Sequence, residues 1–259
     1  MYNINDKYAD NISKVIKHYL LANYNRLGPD DSDTLTSYTL HSYKEYANVP
    51  IENLPIVVLI GGTGGSGKSS FIEFCIQNNS NIYEESTIDC CKEVADFMYS
   101  KFYVADSQEE INFRRAIIEK SDEYRTLLHD LKMSWCKFDD GPNNVVLNQV
   151  ENRINEDSAF LVFINVREPN QIEHLKSILQ DKYRYIPITM KVYRDTVKDW
   201  SNEGDATTEN YEYDIVIDNS GSLLHLENEA DKFCVAVAQT CIEMSRILKP
   251  FQDLNEESI

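Results

Sequence analysis

Residues 62–69 read Gly-Thr-Gly-Gly-Ser-Gly-Lys-Ser, the spacing G-x-x-x-x-G-K-[ST], whose chemistry is the cradling of a phosphate chain. Five of the nine glycines in the chain, at 61, 62, 64, 65 and 67, fall at this one spot. Bare backbone lets successive N–H groups turn inward around an anion, which a Cβ would obstruct. A helix starting at Lys68 would add unpaired N–H donors and the positive end of its dipole. Lys68 brings a mobile charge to the β- and γ-phosphates, and the Ser69 hydroxyl can ligate Mg²⁺. Gly62, Thr63, Gly64, Gly65, Ser66, Gly67, Lys68, Ser69 and Ser70 are therefore the candidate nucleotide-binding set, with ATP and Mg²⁺ as the implied ligands.

A second group of charges could serve a phosphoryl acceptor. Transfer between two anionic groups requires cations around both, and Lys92, Arg125, Lys132, Arg167 and Arg194 are available. The planar fork of arginine suits bidentate phosphate contact, which favours Arg125, Arg167 and Arg194. An acceptor phosphate is ionised near neutral pH, so positioning and electrostatics can carry most of the rate without a strong base. Were the acceptor an alcohol, Asp89 would be the candidate base. A plainer reading stands beside this one: Arg125, Asp130 and Lys132 could form a solvated helix face, and Arg167-Glu168 a helix-entry turn before Pro169.

These residues need a scaffold, and the hydrophobic pattern supplies it. Residues 55–60 (PIVVLI) and 159–166 (AFLVFINV) are continuously apolar, as strands covered on both faces would be. Shorter strand-like runs lie at 185–193 and 213–218, and another near 82–88. Helical periodicity marks 68–78, 89–103, 109–136, 143–155, 169–180 and 222–248. Alternating strands and helices predict an α/β domain over 55–259 with a mostly parallel sheet. Residues 1–54 read as an N-terminal helical extension, with Tyr8, Ile12, Val15, Ile16, Tyr19 and Leu20 on one stripe.

Further segments resemble a family. Ser86-Thr87-Ile88-Asp89 with Lys92, the run 125–132 (RTLLHDLK) before Asp140-Gly141-Pro142, Val166-Arg167-Glu168-Pro169 with Ile172, and 213–219 (YDIVIDN) with Gly221 and Leu223 occur in order. Together they resemble P-loop kinases related to the deoxynucleoside monophosphate kinases, over roughly residues 56–235. The resemblance implies a three-layer P-loop NTPase fold with a five-stranded sheet, a helical acceptor region and a lid. It implies transfer of the γ-phosphoryl group of ATP to a nucleoside or deoxynucleoside monophosphate. Lys68, Arg167, Arg194 and Asp89 would then serve catalysis, and Ser86, Lys92, Arg125, Asp130 and Lys132 the acceptor. Residues 195–212 fall where such kinases carry a lid, although Lys198 is their only cation. A kinase of another small metabolite, or a nucleotide-binding regulatory protein without transferase activity, are the alternatives.

Composition narrows the partners. The formal charge of −18 argues against nucleic-acid polymers. Yet 17 of the 25 cations lie within residues 55–200, so the matched segment can hold a small anionic nucleotide. The six cysteines form no CxxC pair, no basic-apolar leader opens the chain, and no apolar run approaches a membrane span. A soluble cytoplasmic protein acting on small nucleotides, without a membrane partner, is the expectation.

Overall fold

Residues 56–61 hold four β-branched side chains in an unbroken apolar run, and in the computed structural model they form the central strand. The structure describes residues 55–77, 79–183, 185–195 and 211–238. Strand β1 (Ile56–Gly61) leads into helix α1 (Lys68–Gln77), followed by β2 (Ile82–Ser86), α2 (Asp89–Phe102) and α3 (Gln108–Glu119). Next come α4 (Asp122–Asp139), α5 (Gly141–Asn155), β3 (Leu161–Asn165), α6 (Pro169–Asp181), β4 (Ile186–Tyr193) and β5 (Ile215–Asp218). A last helix, α7, occupies residues 223–238 of the described chain.

The five strands form one sheet in the order β2-β3-β1-β4-β5, and every pairing is parallel. Alternation along β1 divides the core in two. Ile56, Val58 and Ile60 pack with Phe71, Ile72 and Cys75 of α1 and with Leu226, Ala230, Phe233 and Val237 of α7. Val57 and Leu59 pack with Val146, Leu147 and Val150 of α5 and with Ile172, Leu175 and Leu179 of α6. The result is three layers, helix–sheet–helix, as the continuous apolar strands predict. Helices α2, α3 and α4 form a satellite core of their own around Cys91, Ala95, Phe113, Tyr124 and Leu128.

The strand boundaries agree with the sequence reading to within two or three residues. One helix does not: the stretch 109–136 is two helices rather than one. Lys120 takes a left-handed conformation (φ 51°, ψ 48°) that ends α3. Ser121 then caps α4, its Oγ accepting from the Tyr124 N–H at 3.3 Å. Asp122 and Glu123 in the first turn complete an N-terminal signature that outweighs the continuous apolar periodicity. The expected extension over 1–54, residues 196–210 of the expected lid, and the predicted helix beyond residue 238 lie outside the described residues. Among the described residues no helix is long and apolar enough to cross a membrane.

Chain order fixes where ligands can sit. From β1 the chain crosses one face through α1 to the edge strand β2, whereas from β3 it crosses the opposite face through α6 to β4. Adjacent strands whose connections depart to opposite faces leave a crevice at their carboxyl ends, the usual ligand position in an open parallel sheet. That crevice lies beyond Gly61 and Asn165.

Candidate functional site

The loop from Gly62 to Gly67 opens directly from the carboxyl end of β1. Gly62 (φ 136°) and Gly67 (φ 95°) hold backbone that L-residues rarely adopt. A Cβ on Gly62 would stand 2.6 Å from the Val192 carbonyl oxygen, and one on Gly67 2.2 Å from Asn219 Nδ2. Within the loop the Ser66 N–H donates to the Thr63 carbonyl at 3.2 Å. The Lys68 ammonium curls back, donating to the Gly62 carbonyl and, at 3.1 Å, to that of Thr63. The Phe71 N–H donates to the Gly67 carbonyl, so α1 begins at once and its first-turn donors stay at the loop mouth. Ser66 Oγ is buried with no hydrogen-bond partner among the described residues.

That orphaned hydroxyl and the glycine-only backbone fit a phosphate chain. Thr63 is buried, Gly64, Ser66 and Lys68 line the turn, Gly65 and Ser69 are exposed, and Ser70 is half-buried on α1. Among the described residues no cluster of three or more His, Cys, Asp or Glu could hold a metal. Were Mg²⁺ to bind with a nucleotide, the Ser69 hydroxyl at the start of α1 would hold it together with the phosphates, whose charge it would neutralise.

Parallel strands bring the other expected residues to the same sheet edge. Arg167 follows β3 and Arg194 follows β4, the two strands that neighbour the loop strand at a spacing of about 4.8 Å. Arg167 is half-buried and Arg194 exposed. Arg125 reaches the site from α4: its Nη1 lies 3.7 Å from the position a Cβ on Gly64 would occupy. The helical satellite thus places a guanidinium against the phosphate loop. Ser86 and Asp89 stand at the end of β2, two strand spacings from β1. Ser86 Oγ accepts from the Ile88 N–H at 3.4 Å, and Asp89 pairs with Lys92, both half exposed.

Lys132 and Asp130 do not share a setting. Lys132 is 3% exposed, and its Nζ lies 2.6 Å from Glu168 Oε2, while His129 Nδ1 lies 3.7 Å from the other oxygen. Burial alone would raise the Glu168 carboxyl, but the Lys132 charge and hydrogen bond outweigh it and hold the group below its ordinary value. The Lys132 charge is thus committed to Glu168 rather than presented to solvent. At 100° per residue, Arg125 and Lys132 fall within about 20° on α4, whereas Asp130 lies about 140° round from Arg125. Asp130 is exposed on that separate face.

Two features escaped sequence reasoning. Asn219, just past β5, donates from Nδ2 to the Ser66 carbonyl at 2.8 Å across 153 residues. The run 213–219 (YDIVIDN) already contained Asn219, but nothing in it names Ser66 as the partner. The second is a network in which Asn143 Nδ2 donates to Asp140 Oδ1 (2.7 Å) and to Gln171, while His174 meets Asp140 at 2.7 Å. It ties α5 to α6 beside Glu168.

Fold and site together define a three-layer α/β protein with a phosphate-loop motif at the crevice of a wholly parallel sheet. No protein-family model matches the chain, and no curated protein matches its sequence.

Proposed function

We propose that this protein is an ATP- and Mg²⁺-dependent phosphotransferase acting on a nucleoside or deoxynucleoside monophosphate. The observation that carries the reading is Arg125 beside Gly64: a cation from the helical satellite meets the loop that would hold the donor phosphates. A binding-only protein has no need of such a bridge. Backbone donors of the loop and Lys68 would hold the ATP phosphates, and Arg167 and Arg194 flank them from the neighbouring strands. These cations would offset the charge of two anions brought together, which is the main electrostatic demand of phosphoryl transfer. The acceptor would enter from the β2–β3 side, between Ser86 and the Arg125 face of α4.

The test is ADP release measured across ribo- and deoxyribonucleoside monophosphates, with Lys68→Ala alongside. The expected result is acceptor-stimulated turnover that Lys68→Ala abolishes. Tight ATP binding with no acceptor stimulating ADP release would sink the transferase reading.

A further inference from the structure

We infer that Asn219 is a positioning residue of the nucleotide site, aiming the Gly67 N–H into the phosphate loop. The inference rests on the proposal that this loop binds nucleotide phosphates, and adds a role for a residue outside the motif. Asn219 is 5% exposed, and its backbone N–H donates to the Tyr193 carbonyl at 2.7 Å, which anchors it to the end of β4. From that fixed point its carboxamide lies against the Ser66–Gly67 peptide, donating to the Ser66 carbonyl at 2.8 Å.

Peptide planarity turns this contact into an orientation. The Ser66–Gly67 bond is trans, because the described chain contains no cis peptide. In a trans peptide the C=O and the following N–H point in opposite directions. A carbonyl pinned toward Asn219 therefore sends the Gly67 N–H away from it. A preorganised donor needs no rearrangement when the anion arrives. The same packing explains why residue 67 is glycine: Asn219 Nδ2 occupies the space a Cβ would need, at 2.2 Å. Asn219 and Gly67 are thus a matched pair, and the end of β5 belongs to the site as much as the motif does.

The experiment measures ATP binding by calorimetry in wild type, Asn219→Ala, Asn219→Asp and Phe233→Leu, with thermal unfolding of each. Asn219→Asp keeps the side-chain volume but replaces the donor with an acceptor facing a carbonyl. Phe233→Leu loosens the core where Phe233 of α7 packs on Phe71 of α1, outside the motif residues. Both Asn219 variants are expected to weaken ATP binding by roughly 5- to 100-fold, the range for losing a buried donor. Phe233→Leu should lower the unfolding temperature and leave affinity within about twofold. In the wild type, the Gly67 amide proton resonance should move downfield on adding ATP. Unchanged affinity in folded Asn219 variants, or a Gly67 amide indifferent to bound ATP, overturns the positioning role. Absence of ATP binding by the wild type overturns the loop reading itself, and this inference with it.

Discussion

Lys132 on α4 and Glu168, at the N-cap of α6, form an ion pair with a 2.6 Å contact, both side chains largely withdrawn from solvent. The pair fastens the helical satellite, which carries Arg125, to the sheet edge that carries the phosphate loop. Removing one partner of a buried pair strands the other charge, whereas replacing both by apolar groups is often neutral. Lys132→Met should therefore cost about 3–5 kcal/mol in urea unfolding, and adding Glu168→Leu should recover most of it. A single-mutant loss below about 1 kcal/mol would show that the pair is solvated.

The same pair sets an acid limb. The Glu168 carboxyl is held below its ordinary value of 4.5, so as pH falls the unfolded chain takes up the proton first. Its stabilisation is complete above that value and is lost as pH drops through it toward the folded pKa. Among the described residues, Lys132 and His129 lie within ion-pair distance of it and the Cys136 thiol also feels its charge. Unfolding free energy measured from about pH 6 to 3 should fall less steeply in Glu168→Gln than in wild type. Parallel slopes would contradict the assignment.

Two loop glycines should respond differently to the same methyl group. Gly62→Ala adds a Cβ 2.6 Å from a backbone oxygen at φ 136° and should cost about 1–3 kcal/mol in stability. At Gly64 the new Cβ meets only Arg125 Nη1 at 3.7 Å, an ordinary contact, so stability should stay within about 0.5 kcal/mol. Chemical denaturation of the two variants separates strain at one position from free space at the other.

The break between α3 and α4 shows where sequence patterning stops. Apolar residues continue at helical spacing through 109–136, yet Lys120 and Ser121 end one helix and begin the next. Ser121→Ala should cost about 1 kcal/mol by removing the cap on the Tyr124 N–H. Lys120→Gly should be neutral or stabilising by up to about 1 kcal/mol, since only a side chain pays for left-handed backbone. Thermal unfolding of both checks this.

Legibility followed sequence distance. The turn between β1 and α1 was readable because its glycines, lysine and serines are contiguous, and β1 and β3 because full burial on both faces leaves an unbroken apolar run. Pairings across the fold were not. Nothing local to Lys132 distinguishes an acceptor cation from the buried partner of a carboxylate 36 residues on. Asn219 meets Ser66 only because β5 ends beside the loop.

Arg125 offers the sharpest separation of charge from geometry. Its guanidinium lies beside Gly64 while Lys132, two turns on along nearly the same helix face, anchors α4 at Glu168. On the phosphoryl transfer proposed above, a group held so near the loop but borne by the helical satellite should matter most when donor and acceptor are both bound. Arg125→Lys keeps the charge and loses the planar fork, so kcat should fall roughly 10- to 100-fold while KM for ATP changes by less than about threefold. Arg115, exposed on α3, is the control, and Arg115→Lys should leave both constants unchanged. A collapse of ATP affinity with kcat preserved would assign Arg125 to donor binding alone. Loss of both would mean that the satellite's position, rather than the guanidinium's chemistry, had been disturbed, and an altered unfolding midpoint would reveal it.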